Sequence, residues 1–84
     1  MTKYVTIYST PVCPYCIKTK EWLKKHNVPF EEINVAENEK AAERMIEESG
    51  QMGVPVWKVM EDGRMKKIVV GYDIDALNEE FKNQ

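Results

Sequence analysis

The 84-residue chain predicts an α/β fold with element order βαβαββα, a four-stranded mixed sheet flanked by three helices. Three observations lead there. A β-branched, alternating run at the N-terminus is followed by a helical segment and a second strand-like run, which is a βαβ unit. Two further β-rich runs are joined by the turn signal "EDG", which is a hairpin. A last amphipathic segment closes the chain. The βαβ unit requires a right-handed crossover between parallel strands, while the hairpin adds antiparallel ones, so the sheet must be mixed.

"KYVTIY" (Lys3–Tyr8) is the first strand, and "STPVC" breaks its alternation. Pro14 to about His26 is the first helix, with Val12, Cys16, Thr19 and Leu23 at helical spacing and Lys18, Lys24 and Lys25 off that stripe. "NVP" ends it, because a residue before proline resists the α conformation. "FEEINV" (Phe30–Val35) is the second strand. The second helix runs from Asn38, its N-cap, to Ser49, with Ala42, Met45, Ile46 and Ser49 as the buried stripe and Gly50 as its stop. "VPVWKVM" (Val54–Met60) and "MKKIVVG" (Met65–Gly71) are the third and fourth strands around Glu61–Gly63. Asp73 caps the last helix, whose inward face is Ile74, Leu77 and Phe81. Strand order within the sheet does not follow from periodicity.

Length and composition predict one domain over residues 1–84, since domains run to roughly 50–250 residues. Hydrophobic content of 43% with 31% charged residues is that of a globular chain, not a disordered one. A formal net charge of −2, with acids and bases interspersed, lacks the basic face that nucleic-acid binding needs. No apolar run approaches the roughly 20 residues that span a bilayer, so no membrane partner is expected. "MTK" leads straight into a strand pattern without a signal-peptide core, which makes a cytoplasmic location the expectation.

The chemistry lies in "CPYC". Cys13 and Cys16, the only cysteines, stand three positions apart with Pro14 and Tyr15 between them. A structural crosslink is improbable in the cytosol, and so short a loop would restrain the unfolded chain little. Zinc wants four ligands, of which two are present. His26, the only histidine, falls at the far end of the same helix, where it complements the helix dipole. A metal or iron–sulfur site would therefore have to be shared between two chains through Cys13.

A redox couple fits better. Cys13 falls at the N-cap and Pro14 at the first helical position, where its missing N–H costs nothing. The amides of Tyr15 and Cys16 then point at the Cys13 sulfur, and the positive end of the helix dipole favours an anion there. Lys18 and Lys20 add screened positive charge. Cys16, one turn further in, faces the sheet and keeps its proton. That asymmetry suits a nucleophile and a resolving thiol.

"CPYC" between a strand and a helix, "GVPV" opening the third strand and "VGYD" before the last helix together resemble the glutaredoxin family, over Tyr4 to Phe81. The resemblance implies a thioredoxin-like fold and dithiol–disulfide oxidoreductase activity, with roles in electron transport and cell redox homeostasis. Catalysis would pass through a reversible Cys13–Cys16 disulfide and reduce protein disulfides or glutathione mixed disulfides. Val54-Pro55 matches the family's Val-cis-Pro, whose backbone at Val54 pairs with an extended substrate. Tyr15 matches the aromatic residue flanking the site, and Gly71, Tyr72 and Asp73 match the turn that holds the α-amino end of glutathione.

Three positions depart from the family pattern. Thr10 replaces a lysine, Gly53 a threonine, and Val70 the first of two glycines. They thin the carboxylate contacts of glutathione. The implied electron donor is accordingly glutathione or, alternatively, a thioredoxin reductase, with glutathione as co-substrate, no bound cofactor and no metal. A monomer is expected. The implied potential falls between about −270 and −200 mV, the span of thioredoxin and glutaredoxin dithiols. The rival outside this class is a dimeric iron–sulfur or zinc module held through Cys13.

Overall fold

The computed structural model describes residues 3–81. Its elements are β1 (Lys3–Ser9), α1 (Pro14–Lys25), β2 (Phe30–Asn34), α2 (Glu39–Ser49), β3 (Val56–Glu61), β4 (Arg64–Val70) and α3 (Ile74–Phe81). The strands lie in the order β2-β1-β3-β4, with β1 and β2 parallel and the other two pairs antiparallel. The mixed sheet with three helices is the architecture expected.

Period-two alternation sorts the strand side chains between two cores. Val5 and Ile7 of β1 and Trp57 and Val59 of β3 meet Leu23 of α1 and Leu77 and Phe81 of α3 on one face. Tyr8 and Val56 point the other way and pack on Ala41 and Met45 of α2. Residue polarity on that second face is higher. The Tyr8 hydroxyl donates to Glu48 (3.0 Å), and the Lys58 ammonium donates to both the hydroxyl (3.2 Å) and the carboxylate (3.1 Å). Burial pushes the Tyr8 hydroxyl above its ordinary range; burial works against the Lys58 cation, but its bonds to Tyr8 and Glu48 raise it nonetheless.

Helix boundaries follow their caps. Asn38 Oδ1 accepts the Ala41 amide (3.0 Å), and Gly50 closes α2 at φ 75°. Asp73 Oδ1 accepts the Ala76 amide (3.0 Å) and opens α3. α1 stops by a Schellman motif: Val28 N–H bonds Leu23 O (2.9 Å), Asn27 N–H bonds Lys24 O (3.2 Å), and Asn27 sits at φ 57°. The stop is therefore made by Asn27 before Pro29 acts. Asp62 and Gly63 both have positive φ, 54° and 82°, as a two-residue hairpin turn requires.

Several expected details shift. Val12 lies outside α1 and is exposed, while Trp22 takes the inward position left open by the helical spacing. The buried stripe of α2 is Ala41 and Met45; Ile46 is exposed and Ala42 only half covered. Ile74 is also exposed, at 40%. β3 begins at Val56, two residues later than expected, because Pro55 has no amide to give to the ladder. Among the described residues no helix is long and apolar enough to cross a membrane.

Candidate functional site

Three segments meet at one end of the sheet. β1 leaves its last residue, Ser9, toward the loop that opens α1. β3 enters there through Val54-Pro55, and β4 exits there into the turn before α3. Tyr8 pairs with Val56 and Val56 with Val70, so the three loops begin side by side. Gly71 N–H then donates to Pro55 O at 2.7 Å, extending the ladder by one bond and tying two of the loops together.

Cys13 is the N-cap of α1, with φ −93° and ψ 112°. Its Sγ accepts the Cys16 amide at 3.2 Å, one of the two amides expected to point there. It also lies 3.8 Å from Val54 O, to which its thiol donates. Pro14 occupies the first helical position. Cys13 is more covered than its loop position suggested, at 9% exposure, but Cys16 has none. Burial pushes the Cys16 thiol up to about 12, helped by its hydrogen bond to Cys13 and then by the charge of that residue, with the Thr10 backbone acting in the opposite sense. Both cysteines are free thiols.

The flanking lysines are each engaged by a neighbouring side chain. Lys20 donates to Glu32 at 2.7 Å, and the buried Ser9 hydroxyl donates to the same carboxylate at 2.6 Å. Lys20 first, then Ser9, hold Glu32 below the usual carboxylate range. This pairing pins α1 to β2, and the Lys20 charge still acts weakly on Cys16, favouring its anion. Lys18 lies over the Tyr15 ring, 5.7 Å from its centroid, and Tyr15 is exposed beside Cys13. His26 stacks on Trp22 with ring centroids 3.9 Å apart, and its Nδ1 lies 2.9 Å from Trp22 O. Among the described residues no three His, Cys, Asp or Glu side chains gather as a metal site.

The Val54-Pro55 bond is cis. Pro55 is buried and Val54 half-buried next to Cys13. Gly71 has φ 88°, which favours glycine, and its carbonyl accepts the indole N–H of the fully buried Trp57 at 3.0 Å. Tyr72 packs against the larger core and, with Lys18, Glu21, Trp22 and Lys25, lines a groove of about 360 Å³ that contains neither cysteine. Thus Cys13, Cys16 and Val54 come together, Tyr15 and Pro55 adjoin them, and Gly71 is tethered to Pro55 while Tyr72 turns toward α1.

The glutaredoxin family model matches residues 5–62. The chain belongs to the glutaredoxin family. It is 47% identical over 78 residues to a glutaredoxin-like 8.6 kDa protein in the rubredoxin operon of Clostridium pasteurianum, spanning 89% of this chain and 97% of that one. The solved glutaredoxin of Archaeoglobus fulgidus shares its fold at TM-score 0.74 and 32% identity, over 99% of this chain and 89% of the other. The glutaredoxin-like NrdH-redoxin of Escherichia coli, described as having a thioredoxin-like activity profile, matches at TM-score 0.74 and 29% identity, over 90% and 92%.

Two contributors to this glutaredoxin site escaped the sequence reading. Trp57 reads as core, and nothing in a strand pattern says that its N–H reaches across the sheet to Gly71. Gln51 reads as loop. Replacing Trp57 by Phe should orphan the Gly71 carbonyl and cost about 1–3 kcal/mol. In a domain of this size that is a Tm loss on the order of 10 °C, measured by thermal denaturation.

Proposed function

We propose that the chain is a dithiol–disulfide oxidoreductase that reduces protein disulfides or glutathione mixed disulfides. The observation that carries this is the Cys13 sulfur at the opening of α1, accepting the Cys16 amide at 3.2 Å, with a fully buried Cys16 directly behind it. The Cys13 thiolate attacks one sulfur of a substrate disulfide, forming a mixed disulfide and expelling the other half as a thiolate. Cys16 then gives up its proton to solvent or to the departed thiolate. Its sulfur attacks that of Cys13, expels the second half and closes the Cys13–Cys16 disulfide. Two electrons pass to the substrate, and a reductant restores the dithiol. The sulfurs carry the electrons, so no cofactor or metal is required. Tyr15, Val54, Pro55 and the Gly71–Asp73 turn form the substrate-binding surface. A cytoplasmic monomer without nucleic-acid or membrane partners is the setting that suits this chemistry.

Thr10 stands where many members of the family carry a lysine and supplies no cation there, which favours a thioredoxin reductase as donor over glutathione. The thioredoxin-like activity profile of the NrdH-redoxin points the same way. An NADPH-coupled assay separates the two. One arm contains glutathione and glutathione reductase, the other thioredoxin reductase. Faster NADPH oxidation is expected in the second arm. Oxidation in neither, by folded and reduced protein, would reject the proposed activity.

A further inference from the structure

Between Ser49 and Val56 the chain forms no regular structure, yet this stretch must deliver Val54 to within 3.8 Å of the Cys13 sulfur. Beside the bonds to Pro55 O and Val54 O, its Gly53 backbone is held by a side chain. Gln51 Oε1 accepts the Gly53 amide at 2.6 Å, and Gln51 Nε2 donates to Gly53 O at 2.9 Å. One carboxamide thus satisfies both backbone polar groups of Gly53, much as a neighbouring strand would. The clamp is itself anchored to α2. The Ser49 hydroxyl bonds back to Met45 O at 2.6 Å, and the Gln51 amide donates to the same hydroxyl at 3.4 Å.

Gly53 completes the device. It lacks the positive φ of Gly50, Gly63 and Gly71, so backbone conformation does not demand a glycine there. Space does: a Cβ at position 53 would stand 2.8 Å from Gln51 Oε1. Because that atom ends a flexible side chain, an alanine would expel the carboxamide and release the Gly53 backbone from its two bonds. Gln51 and Gly53 therefore act as one unit.

We propose that Gln51 is a positioning residue for substrate binding, holding Gly53 so that the adjoining Val54 backbone is set to receive an extended peptide disulfide. This rests on the proposed function, in which Val54 pairs with the substrate chain and Cys13 attacks it. An ordered loop has less freedom to lose on binding, so the clamp lowers the peptide concentration needed without touching sulfur chemistry.

The test uses the pre-reduced whole chain in single turnover, with two oxidants in separate arms. One is a synthetic extended peptide disulfide; the other is a small aromatic disulfide with no peptide backbone. For Gln51→Ala the half-saturating peptide concentration should rise about three- to tenfold, the loss of one or two hydrogen bonds. The limiting rate and the aromatic-disulfide rate should stay within about twofold. Gly53→Ala should reproduce this, and the double variant should go no further, since both remove one interaction. Gln51→Glu, which keeps the acceptor but loses the donor, should fall between. An unchanged half-saturating concentration, additive single effects, or an equal slowing of the aromatic disulfide would each overturn the role. The parent reading fails separately: peptide reduction that survives Cys13→Ser would remove it, whatever the Gln51 variants do.

Discussion

Replacing Cys13 by Ser should lower disulfide reduction by about 10³-fold or more, to the uncatalysed rate. The fold should be unharmed. Serine is a preferred N-cap, and its Oγ can accept the Cys16 amide that Cys13 now accepts, so thermal stability should hold or rise. Cys16 cannot substitute as nucleophile, because it has no exposed surface and keeps its proton through the neutral range. The companion variant, Cys16→Ser, should behave in the opposite way. Attack by Cys13 proceeds, resolution does not, and a mixed disulfide accumulates, adding the mass of half the substrate to the intact chain. Mass spectrometry of the acid-quenched reaction reads both variants. Turnover retained without Cys13, or an adduct found on Cys16, would assign the roles wrongly.

The geometry behind that asymmetry was largely legible in the sequence because it is local. The cysteine N-cap, Pro14 at the first helical position and Cys16 one turn on are set by rules acting over four residues. The Asn38 and Asp73 caps and the Gly50 stop were readable for the same reason. What depends on which face of a helix meets the sheet was harder. Ala41 and Ala42 are equivalent to a hydrophobic scale, and only docking against Tyr8 and Val56 decides between them. Val12 fits the helical spacing, but the α1 cap at Cys13 leaves it outside the helix and in solvent. Placing β1 between β2 and β3 depends on tertiary packing that no window of sequence contains. The Gln51 clamp is local, yet a glutamine in a loop carries no propensity signal that distinguishes a solvated side chain from one folded onto its own backbone.

A pH series on the resolving step should show the largest continuous change of rate. Cys16 is moved from an ordinary 9.0 to about 12, first by burial, then by hydrogen bonding to Cys13 and by the charge on it. In the mixed disulfide the Cys13 contributions disappear, because its sulfur is then neutral. Burial remains, so the thiol stays above its ordinary value and its anion is scarce throughout the neutral range. Resolution should therefore quicken about tenfold per pH unit from roughly pH 6 to 8, with no plateau in that range. Trapping the mixed disulfide by alkylation at timed intervals gives this rate directly, and levelling off below pH 8 would show a Cys16 activated by a group that burial alone does not reveal. Stability carries the same signature. A thiol whose folded value lies above its unfolded one stabilises the fold fully below pH 9.0 and loses that contribution as pH climbs toward about 12. Tyr8, Lys58 and Lys66, also raised, lose theirs in the alkaline range too, so the wild-type decline combines these contributions with that of Cys16. Subtracting the curve of Cys16→Ser from that of the wild-type dithiol isolates the cysteine, and the difference should begin one pH unit or more before the tyrosine and lysines take effect.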